Sequence, residues 1–93
     1  METNEDVPQE FYDVVDQFIN LANSLGKNWP RSRISATLLY AAARYNAFNW
    51  LFREVDQEQT EEEAIEFYSD QYEGMLRDNI SDLRRSYSDS GDL

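Results

Sequence analysis

The chain has 93 residues with nineteen acidic and eight basic side chains, a net charge of −11, and neither histidine nor cysteine. A chain of this length supports one domain with one shared core, burying roughly 70% or less of its unfolded surface. The missing residue types remove disulfides, thiolate nucleophiles, the usual general base at neutral pH and most transition-metal sites, while the excess of carboxylates opposes contact with phosphate backbones and anionic bilayers.

The opening METNEDVPQE is acidic and lacks the basic flank and apolar stretch of a secretion signal, and no run of 18 or more apolar residues follows. Neither nucleic acid nor membrane is therefore an expected partner, and the expected location is the cytoplasm. Residues 1–6 read as a disordered acidic tail. Asp6 opens a D-x-x-Q pattern with Pro8 in the first turn and Gln9 placed to reach back, which predicts a helix start. Phe11, Val14, Val15, Phe18, Leu21, Ala22 and Leu25 then recur at steps of three and four as one apolar stripe. Gly26 is expected to end this helix in the left-handed conformation, with Lys27 near the negative end of the dipole.

Pro30 can restart a helix but not continue one, so the second helix is expected to begin at Pro30 or just after Ser32 and to run to about Val55, roughly 22 residues and ~33 Å long. Thr60 and Glu63 form a capping box for a third, whose stripe is Ile65, Tyr68, Tyr72, Leu76, Ile80, Leu83 and Tyr87. Gly74 inside it costs up to ~1 kcal/mol and is expected to mark the close approach of a neighbour. Residues 86–93, SYSDSGDL, read as a second disordered acidic tail. The expected fold is all-α: a three-helix bundle with a long central helix, in a single helical domain over residues 7–85, dimerising.

The central helix motivates that last expectation. On a helical wheel its apolar residues fall on two faces. One is a heptad-like seam of Ile34, Leu38, Ala41, Tyr45, Phe48 and Phe52. The other carries Ala36, Leu39, Tyr40, Ala43, Ala47, Trp50 and Leu51. Ser35, Asn46 and Arg53 separate the faces on one side, Thr37 and Arg44 on the other. The stripes of the outer helices cover both faces in one arrangement and share the seam in another, leaving the Ala-rich face open. Such a patch is unusual on a monomer, and its small residues suit the close approach of a second copy, so this face is the candidate for self-association.

Charge is segregated too. Between Gln17 and Arg53 lie five bases and no acid, so the flanks hold all nineteen carboxylates. An acidic helix lying along a basic one accounts for this, and a dedicated anion site is the alternative. Arg44 and Asn46 interrupt an apolar neighbourhood. The structural expectation is that Arg44 pairs with a carboxylate of an outer helix and Asn46 bonds backbone; the functional one is a small polar or anionic ligand held beside Tyr40 or Trp50. Glu62, Glu66, Asp70 and Glu73 fall on one face of the third helix, a solvated surface or a docking face for a basic protein partner. Although a hard cation suits such oxygens, no oxygen cage is readable, and no metal, cofactor or catalytic residue is expected.

The segments Phe18–Ile19, Leu21–Asn23, Pro30–Arg31, ISATLLYAAARYNAF and EEAIEFYSDQYEGMLRDNI together resemble a family of short, functionally uncharacterised bacterial proteins, a domain of unknown function, over about residues 10–83. The resemblance implies a bacterial, soluble, helical protein and no activity. The function expected is thus a non-enzymatic protein-protein interaction or adaptor module, homodimeric through the second helix; the alternative is a protein binding a small molecule or anion around Arg44 and Asn46.

Overall fold

The computed structural model describes residues 7–53 and 58–90. Three helices run in chain order, α1 (Gln9–Leu25), α2 (Arg31–Leu51) and α3 (Glu61–Ser90), with no strand among the described residues. The fold is all-α, as the spacing of the apolar residues requires.

The start of α1 differs from the expected cap. Pro8 stands at the N-cap in an extended conformation, φ −68° and ψ 153°, with no side-chain cap bond. Its carbonyl accepts the Phe11 N–H at 3.0 Å. Gln9 donates from Nε2 to Asp13 Oδ1, one turn ahead, at 3.1 Å, an i,i+4 pairing that an exposed helix face favours. Asp6 and the expected tail over residues 1–6 lie outside the described residues. At the other end Gly26 is right-handed, φ −65° and ψ −9°, rather than left-handed. The chain leaves α1 by tightening instead: the N–H groups of Gly26, Lys27 and Asn28 bond Ala22, Ser24 and Leu25 carbonyls at 2.9, 3.3 and 3.1 Å. Bonds spanning three residues consume the carbonyls that a left-handed glycine would otherwise have satisfied.

The Pro30 carbonyl opens α2, accepting the N–H groups of Arg33 and Ile34 at 3.0 and 3.1 Å. Next to it the Arg33 guanidinium lies 5.0 Å from the centre of the Trp29 ring. The helix ends at Leu51, earlier than expected, with Phe52 in a turn, and Val55 lies outside the described residues. Phe52 and Arg53 direct their N–H groups back to Phe48 O and Trp50 O at 3.1 and 3.4 Å.

The capping box of α3 forms as read. Thr60 N–H donates to Glu63 Oε1 at 3.0 Å and Glu63 N–H donates to Thr60 Oγ1 at 3.1 Å. Three glutamates, Glu61, Glu62 and Glu63, occupy the first turn, where the dipole favours negative charge. With 30 residues against the 21 of α2, this is the longest of the described helices. Residues 86–90 are helical rather than a tail, while residues 91–93 lie outside the described residues. The stripe explains the extension: Tyr87 follows Leu83 by four residues, so the helical period carries through the segment expected to be a tail. Gly74 marks no close approach, since a Cβ there meets nothing within 4 Å.

Contacts divide the chain into two compact units, Met1–Tyr45 and Asn46–Leu93. Among the described residues Ala64 is the one buried apolar side chain, Ile34, Trp50 and Tyr68 are half-buried, and the other large apolar residues of the helices are exposed. The expected apolar stripes run along the helices, and most of their side chains are exposed. No described helix is long and apolar enough to cross a membrane.

Two substitutions in α3 follow from this local chemistry and read out in urea unfolding monitored by circular dichroism. Thr60→Ala removes one arm of the capping box and is expected to cost about 1 kcal/mol. Gly74→Ala removes a flexible residue from an open helical position and is expected to stabilise by up to about 1 kcal/mol.

Candidate interaction surfaces

The Ala-rich face of α2 is exposed at Ala36, Leu39, Tyr40, Ala43, Ala47 and Leu51. Tyr40 and Leu51 keep 67% and 65% of their surface. Trp50 is different. It is half-buried, and the Arg53 guanidinium covers its ring at 4.6 Å from the centroid. Arg53 Nη1 also donates to the Trp50 carbonyl at 2.6 Å, and Nη2 donates to the Gln59 carbonyl at 3.2 Å. One side chain thereby closes the end of α2, shields the indole and ties the approach to α3. The indole Nε1 is buried without a hydrogen-bond partner, which is consistent with a ring held in place by packing and the overlying cation.

The sequence pattern placed Arg53 in a polar seam and gave no sign of this role. The available signal was its position three residues after Trp50, where an arginine side chain reaches the last carbonyls of a helix. A second link in the same unit joins Asn49 Nδ2 to Tyr68 Oη at 3.5 Å, between the end of α2 and the start of α3.

On the opposite side of α2, Leu38, Tyr45, Phe48 and Phe52 are exposed and Ile34 is half-buried. The rings of Phe48 and Phe52 stack at 4.8 Å in a tilted arrangement. Arg44 is exposed, and the ion pairs found among the described residues lie within α3, so the expected partner carboxylate for Arg44 is not among them. Asn46 is half-buried.

Glu62, Glu66, Asp70 and Glu73 are all exposed on α3. Arg77 answers the last of them, donating from Nε and Nη2 to Glu73 Oε2 at 2.9 and 2.7 Å. Further along, Arg85 lies 3.7 Å from Asp82. Both pairs are exposed, so each contributes at most a few tenths of a kcal/mol. A shallow concavity on this part of α3 is lined by Arg77, Ile80, Ser81, Arg84, Arg85 and Ser88. It places three guanidinium groups around an isoleucine in an otherwise acidic chain, and neither Arg44 nor Asn46 lines it. Among the described residues no set of three or more carboxylates is arranged to hold a metal ion.

Residues 11–83 match the model of the family described as protein of unknown function, DUF3144. The chain belongs to that family. The match spans all of α2 and most of α1 and α3, so the Ala-rich face, the acidic face and Arg53 are all parts of the DUF3144 region. No curated protein and no solved structure matches the chain.

The role of Arg53 is open to a direct check in a Trp29→Phe background, where Trp50 is the sole tryptophan. Arg53→Ala is expected to shift Trp50 emission to longer wavelength and to lower stability by about 1.5–3 kcal/mol, the range for hydrogen bonds made by a charged group. An unchanged emission maximum would mean that Arg53 does not shield the indole.

Proposed function

We propose that this DUF3144 protein is a small non-enzymatic protein-protein interaction module of the bacterial cytoplasm, homodimeric through the Ala-rich face of α2. The observation that carries this reading is the exposure of Leu39, Tyr40 and Leu51 beside the small residues Ala36, Ala43 and Ala47. Small side chains let two helix backbones approach, and the larger ones then bury their surface against the partner. A composition without histidine or cysteine supports a binding role over a catalytic one.

Light scattering over a range of concentrations tests the reading. The wild-type chain is expected at twice its 11.0 kDa monomer mass. Leu39→Glu is expected to weaken association at least tenfold while leaving the helical circular dichroism intact. A wild-type chain that remains monomeric sinks the homodimer, and a Leu39→Glu variant that remains dimeric moves the contact away from this face of α2.

A further inference from the structure

We infer that α3 pairs antiparallel with α3 of a second copy, so that the basic partner of the acidic face is the arginine-bearing half of the same helix in the other chain. This rests on the homodimer proposed above but not on α2 being its contact.

The first observation is the symmetry of the stripe. Ile65 and Leu83, Tyr68 and Ile80, and Tyr72 and Leu76 lie nine, six and two residues on either side of position 74. An antiparallel pair centred at that level therefore sets each apolar side chain beside its counterpart, giving Ile65–Leu83, Tyr68–Ile80 and Tyr72–Leu76 layers from both chains. On a wheel, Gly74 falls on the back of α3, opposite the stripe, so it takes no part in the seam.

The second observation is charge. The half of α3 from Glu61 to Gly74 holds six carboxylates and no base, whereas all three arginines, Arg77, Arg84 and Arg85, follow Met75. Glu62, Glu66, Asp70 and Glu73 occupy the same angular sector of the helix as Arg77 and Arg84, on one flank of the stripe. Twofold symmetry brings like flanks of an antiparallel pair together. Arg84 of one chain then reaches the level of Glu62 and Glu66 of the other, and Arg77 the level of Asp70 and Glu73. The concavity between Arg77 and Arg84 lies where those carboxylates arrive. A parallel pair would offer the acidic flank no base and would align the two helix dipoles unfavourably.

Area supports the same occupant. Ile65, Tyr72, Leu76, Ile80, Leu83 and Tyr87 are each 43–53% exposed. Six such side chains present on the order of 500 Å² per copy, and two copies reach the roughly 1,000 Å² that a specific interface requires.

Because the chain has no cysteine, single spin labels can be attached at chosen sites without removing a native thiol. The full chain is labelled at Glu66→Cys, Asp82→Cys and Ser86→Cys in turn, and its mass and label-to-label distance are measured together. With a rise of about 1.5 Å per residue, labels at Glu66 and Asp82 are expected at equal separations of about 24 Å along the axis, and labels at Ser86 at about 36 Å. A dimer in which the three sites give the same short distance, or in which Glu66 and Asp82 differ by more than the label's own spread, overturns the antiparallel seam while leaving the homodimer standing. A monomer at every concentration overturns both. Expected distances that persist in a dimeric Leu39→Glu variant support the α3 seam and remove α2 from the contact.

Discussion

An apolar stripe on a helix is worth about 1.5–3 kcal/mol for each large side chain it succeeds in covering, and nothing for one left in water. This constraint governs the molecule. All three helices carry such side chains, and among the described residues only Ala64 is buried. Ordering each residue of a helix costs on the order of 1–2 kcal/mol of backbone entropy, which caps and ion pairs alone do not offset. The stability of these helices is therefore tied to whatever covers their faces. Self-association supplies that cover in the reading offered above, with both chains burying the same surfaces against each other.

Against that large requirement, the ends of the helices are managed by small, local devices. The reciprocal Thr60–Glu63 bonds satisfy two otherwise unpaired N–H groups at the start of α3. Consecutive short-range bonds draw α1 to its close without a left-handed residue. At the end of α2 a single side chain, Arg53, combines a carbonyl cap, a cation over the indole and a tie to Gln59. Each contributes on the order of one to a few kcal/mol, enough to set where a helix ends and too little to hold a face in place.

The distribution of charge complements the apolar pattern. A dense acidic segment at the start of α3 is favourable for its dipole and unfavourable for itself, because like charges at i,i+4 repel. Exposed intrahelical pairs such as Glu73–Arg77 relieve little of this. Opposite charge brought from another helix relieves more when it also excludes water, which links the acidic face to the apolar stripe beside it.

By itself the sequence determined the all-α class, the three helices, the capping box at Thr60 and Glu63, the acidic face and the apolar stripes, because helical period and cap chemistry are local and are written in residues three and four apart. It also carried the family resemblance. The ends were less legible: Gly26 is right-handed, α1 begins at Gln9 after Pro8, and α3 continues to Ser90, since alternative hydrogen-bonding partners within one turn differ by little energy. Only the three-dimensional structure decided that Arg53 covers the Trp50 ring and that a Cβ at Gly74 would meet nothing within 4 Å. Those outcomes depend on where a long side chain or a second surface arrives, and the spacing of residues along one helix carries no record of that.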